Sequence, residues 1–125
     1  MYELWFRMPY RGLIAEGAFT AAVRPGDRRA PQPKGTEEGA LAAVRILEKP
    51  GDEETGSVPV FNDLLRKARI DRIVVKQISE LHPEDLARCS PDSMSLEAVM
   101  CHLGLIYNRE FAPSETVSIL YFTYV

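Results

Sequence analysis

Residues Leu13–Asp27 read LIAEGAFTAAVRPGD, and the rest of the chain is most easily understood from this run. Its first part is apolar and stops at Gly17, a residue type that ends helices because it accepts a positive φ. The next part, Ala18–Arg24, has the period-2 pattern of a strand. A Pro-Gly turn follows at Pro25 and Gly26. The run therefore predicts a cation held at a strand end beside a helix end, a position suited to binding an anion.

The alternation within this strand predicts which side chains share a face. Period 2 places Thr20 and Arg24 on one face and Phe19 on the other. Arg24 is suited to grip a phosphate or carboxylate with two hydrogen bonds, or to form a structural ion pair at the strand end. Phe19 is expected in the core, although an exposed Phe could stack on a base.

Outward from this run, strands alternate with short helices. A helix is expected from Pro9 to Gly17, a short one opens within Leu81–Asp85, and Ser95–Tyr107 carries the clearest helical periodicity, with Ser95 as its N-cap. A long loop spans Pro25–Gly39, and Asn62–Arg69 fits either a helix or an edge strand. The other predicted strands are Tyr2–Phe6, Ala40–Glu48, Val58–Phe61, Ile70–Ile78 and Thr116–Tyr124.

These elements predict one domain over residues 1–125 of the α+β class. A small mixed or antiparallel β-barrel of five to six strands, with two to three short helices, would hide most strand edges. The N-terminal aromatic residues Tyr2 and Trp5 are expected in the core. His102 is expected on the solvent side of its helix.

Composition narrows the class of function. The net charge of −3 argues against nucleic-acid binding through overall charge. No apolar run is long enough for a membrane span and the N-terminus lacks the pattern of a signal peptide, so we expect a cytoplasmic protein. Cys89 and Cys101 are expected as reduced thiols. Their number and spacing predict neither a metal site nor a cofactor.

Local charge differs from the total. Arg28, Arg29 and Lys34 follow Arg24 closely and are opposed in sequence by Asp27 alone. Such a cluster could follow an RNA backbone, or it could simply solvate the loop. A basic cleft on an acidic protein is compatible with either interpretation.

The same run resembles the signature of the ASCH domains, members of the PUA-like superfamily. That signature runs apolar-apolar-x-Gly-x-Lys-Thr-x-x-x-Arg, and Gly17, Thr20 and Arg24 match it. Phe19 stands where the family has lysine. The order of later segments is similar as well, from Ile78–Asp85 through the late amphipathic helix to the closing strand, so the resemblance covers about a hundred residues.

The resemblance implies a PUA-like barrel with a ligand cleft beneath the signature helix, and binding of RNA or nucleotide-like ligands. One branch of the family deacylates N4-acetylcytidine with a lysine, a threonine and a carboxylate. At those positions this chain has Phe19, Ala22 and Asp92. Phe19 cannot exchange a proton and Ala22 has no hydroxyl, so that chemistry is not expected here.

The sequence therefore predicts a non-enzymatic module that binds RNA or a nucleotide-like ligand. Its expected contacts are Gly17, Thr20, Arg24, Arg28, Arg29 and Lys34. The alternatives are a small hydrolase, either a nucleoside amidohydrolase or a ribonuclease, with Asp92 as the weak catalytic candidate, and a protein-interaction module.

Overall fold

The computed structural model describes residues 2–29, 35–52, 54–89 and 94–125. Lys34 and Asp92, two of the predicted site residues, lie outside these ranges. Within them the chain forms five strands and three α-helices. In chain order these are β1 Tyr2–Arg7, α1 Arg11–Glu16, β2 Ala21–Pro25, β3 Leu41–Lys49, β4 Val60–Gln77, α2 Pro83–Leu86, α3 Leu96–Tyr107 and β5 Thr116–Tyr124, with 3₁₀ turns at Met8–Tyr10 and Ile78–Glu80.

The strands form one mixed sheet in the order β1-β3-β4-β5-β2. β1 pairs parallel with β3, and the other three pairings are antiparallel. β4 has 18 residues, so it pairs with β3 through its first part and with β5 through its second. A register shift between Ile70 and Arg72 marks a bulge, a feature that bends a strand. The sheet curls into a half-barrel with β1 and β2 at its two ends.

The half-barrel has apolar clusters on both faces. One cluster fills the concave side, where Leu4, Val44 and Phe122 are fully or almost fully buried. The other lies between the β2-β5 end of the sheet and the helices α2 and α3, and includes Val99 and Ile119. β5 is consequently buried on both faces along most of its length.

Local signals in the sequence explain the helix ends. Gly17 closes α1 with φ +75°, in the left-handed region that favours glycine. The Ser95 hydroxyl accepts a hydrogen bond from the Ala98 N–H at 3.1 Å and so caps α3, as predicted. α2 begins with His82 as N-cap and Pro83 in its first turn.

The predicted class, α+β with a small barrel-like sheet, is confirmed. The bounds of β5 agree with the prediction, and those of β1, β3 and α3 agree within one residue. The middle of the chain differs, because Val58–Phe61, Asn62–Arg69 and Ile70–Ile78 were expected as separate segments and β4 runs through them without a break.

Candidate functional site

A cavity of about 300 Å³ lies where the two ends of the sheet approach each other, between β1, β2 and α3. Aromatic residues form part of its lining, together with aliphatic and charged residues. The Phe6 and Phe19 rings meet edge to face at 4.9 Å, and the Tyr10 ring lies 5.7 Å from that of Phe19. Tyr2, Trp5 and Tyr107 also line the cavity. The cavity is at the small end of the range that small-molecule sites occupy.

Arg24 reaches into this cavity from β2. One terminal nitrogen of its guanidinium donates to the Val23 carbonyl at 3.0 Å, and the other donates to the Trp5 carbonyl at 2.9 Å. The Arg24 Cζ also lies 5.0 Å from the centroid of the Phe6 ring. These contacts fix the guanidinium in place and leave part of its five-donor edge to face the cavity.

Arg24 is half-buried, and its side chain lines the cavity. Burial lowers the pKa of the guanidinium from its ordinary value, the phenols of Tyr107 and Tyr2 oppose that shift, and Arg28 adds to it. Among the described residues, no carboxylate lies within 4.0 Å of this guanidinium. A partly desolvated guanidinium in the wall of a cavity is electrostatically suited to binding an anionic ligand.

Arg28 enters the same cavity from the turn after β2. Its backbone N–H donates to the Ser118 hydroxyl at 2.8 Å, and that hydroxyl donates to the Gly26 carbonyl at 2.6 Å. The Arg28 Nε donates to the Pro25 carbonyl at 2.8 Å. Ser118 is fully buried, so the turn that carries Arg28 is anchored in the core.

His102 lies on the side of α3 that faces the cavity, and the prediction that it faces solvent is wrong. Its side chain is half-buried, and its Nε2 lies 3.3 Å from the Tyr10 hydroxyl. Tyr10 belongs to the 3₁₀ turn after β1, so this contact joins α3 to the other wall of the cavity. The rings of the two residues meet edge to face at 5.9 Å.

Cys89 also lines the cavity. Burial raises the pKa of its thiol to about 12, against the influence of the nearby Arg24 and Arg88 guanidiniums. The thiol is therefore protonated at neutral pH and is a poor nucleophile. Cys89 and Cys101 are both free thiols in the structure.

The structure separates the predicted site residues into two groups. Arg24 and Arg28 line the cavity, and Gly17, Thr20 and Arg29 have other contacts. Gly17 is the C-cap of α1. The Thr20 hydroxyl accepts a hydrogen bond from Arg88 Nε at 2.9 Å. Arg29 is exposed and forms an ion pair with Asp27 at 2.9 Å.

The predicted alternation of Phe19 with Thr20 and Arg24 is wrong, because β2 begins only at Ala21. Phe19 precedes the regular strand and turns to the same side as Ala22 and Arg24. Its predicted core position is nevertheless confirmed, since its side chain is buried. The residue that replaces the family lysine is thus an apolar wall of the cavity.

Several cavity residues were missed from the sequence. Tyr10 and His102 are 92 positions apart and their pairing has no local signal. Tyr2 is buried as predicted, but the prediction for Trp5 is wrong, since its side chain is 44% exposed. Trp5 contributes to the site through its carbonyl, which accepts the Arg24 hydrogen bond. Any residue type has this carbonyl, so the sequence does not indicate the contact.

Within residues 2–29, 35–52, 54–89 and 94–125, no three His, Cys, Asp or Glu side chains come together as a metal site. In the same ranges, no helix has the length and apolar character needed to cross a membrane.

The fold is similar to that of proteins of known structure. A protein of family DUF984 from Enterococcus faecalis V583 aligns with a TM-score of 0.64 and 14% identity, over 100% of this chain and 80% of that one. An ASCH domain from Lactobacillus crispatus JV V101 aligns with a TM-score of 0.57 and 15% identity, over 90% of this chain and 68% of that one. No family model and no curated protein matches the chain. The predicted ASCH-type fold is thus confirmed, and at these identities the likeness concerns the fold alone.

Proposed function

We propose that this protein binds RNA or a nucleotide-like ligand, without turning it over, in the cavity between β1, β2 and α3. The observation that carries the proposal is Arg24. Its guanidinium is fixed by two backbone carbonyls, faces the cavity and has no carboxylate within 4.0 Å among the described residues. A phosphate would supply the missing countercharge through charge-assisted hydrogen bonds.

The walls of the cavity support the same class of ligand. The partly exposed aromatic side chains of Tyr10 and Tyr107 offer apolar faces for a planar base or its sugar, beside the buried rings of Tyr2 and Phe6. Arg28 also lines the cavity and adds a second positive charge to that of Arg24, which we propose binds the phosphate. The ASCH-type fold, whose family resemblance implies RNA or nucleotide-like ligands, agrees with this assignment.

The hydrolase alternative receives less support. Phe19 and Ala22 leave the lysine and threonine positions of the amidohydrolase branch without proton-transfer groups. Cys89 is the thiol in the cavity, and its raised pKa of about 12 keeps it protonated. Asp92 lies outside the described residues and adds nothing to the comparison.

The proposal is tested by measuring the binding of the four 5′-mononucleotides and of a random-sequence RNA hexamer by calorimetry. Arg24→Met keeps an unbranched apolar side chain and removes the charge. We expect it to weaken binding of the best mononucleotide at least tenfold. Arg72→Gln removes an exposed charge outside the cavity and serves as the matched control, with wild-type affinity expected.

Unchanged mononucleotide affinity in Arg24→Met would contradict the proposal. A failure of all these probes to bind the wild-type protein would contradict it as well. Each incubation is also analysed for new nucleoside or nucleotide products. Sustained turnover would favour the hydrolase alternative.

A further inference from the structure

The outer face of the half-barrel carries a second set of exposed side chains. Alternate residues of β1, β3 and β4 point away from the concave core, and Trp5, Arg45 and Leu65 form one row across the three strands. Trp5 is 44% exposed and Leu65 is 59% exposed. In the described part of the chain, the helices lie on the concave side and at the β2-β5 end, so this row is open to solvent.

An aromatic cluster is already assembled on this face. The Trp5 and Phe61 rings meet at 4.9 Å and 70°, and the Arg45 guanidinium lies 3.8 Å from the Phe61 centroid. Glu3 accepts a hydrogen bond from the Trp5 indole N–H at 2.7 Å and lies 3.5 Å from Arg45. These contacts hold the indole in one orientation while almost half of its surface remains exposed.

The charges on this face favour an anionic partner. Glu3 offsets Arg45, and Asp71 lies 3.0 Å from Arg69. Asp63, which is on the same side of β4, lies 3.6 Å from Arg11. Arg7 in β1 and Lys67 in β4 are exposed cations that have no carboxylate within 4.0 Å among the described residues.

The outer face is continuous with the cavity. Three residues of the outer face also line the cavity, namely Trp5 and Arg7 of the edge strand β1 and Leu47 of the adjacent β3. The Trp5 carbonyl accepts the Arg24 hydrogen bond, while its indole lies on the outer side. One residue therefore contacts both regions.

We infer that the outer face of β1, β3 and β4 holds the neighbouring nucleotides of a single-stranded RNA whose terminal or flipped-out nucleotide occupies the cavity. In this arrangement one base stacks on the exposed indole of Trp5, and phosphates lie near Arg7 and Lys67. Aromatic side chains flanked by cations are the general means by which proteins hold single strands without reading their sequence. The inference rests on the proposed function of the cavity, and it selects a strand over a free nucleotide.

The test compares a fluorescein-labelled random-sequence RNA hexamer with the best-binding 5′-mononucleotide. We expect the hexamer to bind at least tenfold more tightly than the mononucleotide. Trp5→Leu keeps the backbone carbonyl that holds Arg24 and removes the stacking surface. It should lower the ratio of hexamer to mononucleotide affinity about tenfold. Since Trp5 is the one tryptophan of the chain, its fluorescence should also be quenched by the hexamer in the wild type.

Two further pairs of variants separate stacking from charge. Lys67→Gln should lower hexamer affinity about threefold and reduce its dependence on salt, whereas Arg72→Gln, farther along the same strand and beside Glu84 and Asp85, should do neither. Leu105→Ala removes an exposed apolar side chain on α3, 72% accessible, and is the matched control for Trp5→Leu.

The inference is overturned if the hexamer binds no better than the mononucleotide, or if Trp5→Leu and Lys67→Gln leave hexamer affinity unchanged. Those results leave the cavity proposal standing when mononucleotide binding still depends on Arg24. Conversely, hexamer binding that depends on Trp5 but not on Arg24 would place the strand on the outer face alone, and it would contradict both the cavity proposal and the inference that one strand occupies both regions. Absence of binding by both probes would contradict both.

Discussion

The guanidinium of Arg24 donates a hydrogen bond to the carbonyl oxygen of Trp5 at 2.9 Å, and these two residues belong to the strands at opposite ends of the sheet. The side chain thus spans the gap that a closed barrel would fill with backbone pairing. The cavity occupies this gap, so the group that bridges the half-barrel is also the cation that faces the cavity.

Arg24→Met should change the free energy of unfolding by no more than about 1 kcal/mol. The variant loses two hydrogen bonds to carbonyls, but it also removes a poorly solvated charge that has no carboxylate within 4.0 Å among the described residues. Breaking a buried ion pair would instead cost about 3 to 5 kcal/mol. Urea denaturation of both proteins measures the difference, and a loss in the larger range would show that Arg24 has a structural ion partner.

Ser118→Ala should destabilise the protein by about 2 kcal/mol, because the Arg28 N–H and the Gly26 carbonyl lose their hydrogen-bond partner inside the core. The turn that carries Arg28 would then be less firmly held, so ligand affinity should fall as well. Ser79→Ala, at an exposed position, provides the comparison. Equal denaturation midpoints for the two variants would refute the anchoring role of Ser118.

Two glycine replacements in and beside α1 should have opposite effects. Gly17→Ala forces a side chain into φ +75° and should cost about 1 kcal/mol, although an added Cβ would meet atoms only at ordinary distances of 3.6 and 3.7 Å. Gly12→Ala meets nothing within 4 Å in a helical segment and should gain about 0.5 kcal/mol. Thermal unfolding of the pair tests both signs. A destabilised Gly12→Ala would mean that this position has a packing role.

The two thiols should differ in reactivity. Cys101 is exposed, whereas Cys89 is buried and the pKa of its thiol is raised to about 12. At pH 8 a disulfide reagent should therefore titrate one thiol per native chain within minutes and two in guanidinium chloride. Because its raised pKa leaves the Cys89 thiol protonated until the pH approaches 12, raising the pH to 9 should not make Cys89 reactive. Rapid reaction of two thiols in the native protein would contradict this description.

Local patterns were enough to predict the elements that pack with a regular period. The helix Leu96–Tyr107 follows from its apolar spacing and from Ser95, and the strand Thr116–Tyr124 follows from its β-branched and aromatic residues. Val99 and Leu103 of the helix are buried, as its periodicity predicts, whereas the strand is buried on both faces, and Arg24 was correctly placed at the end of a strand.

The features of the fold and site that could not be predicted from the sequence depend on contacts between distant segments. β4 is long because its first part pairs with β3 and its second part pairs with β5. The residue pattern of this segment has no clear period, so it does not predict this pairing. The turn of Phe19 toward Arg24 depends on where β2 begins. The Tyr10–His102 contact joins a turn after the first strand to a late helix, and their positions near the cavity appear only in three dimensions.

Within the part of the chain that the structure describes, the half-barrel leaves backbone groups of β1 and β2 without a neighbouring strand, and such edges tend to recruit strands from other molecules. An inward-pointing charge on an edge strand makes that recruitment costly, because an added strand would desolvate it. Arg24 is such a charge, and by occupying the Trp5 carbonyl it also removes one acceptor from the edge of β1. The same side chain that we propose to attract a ligand would thus discourage self-association of the protein into extended sheets.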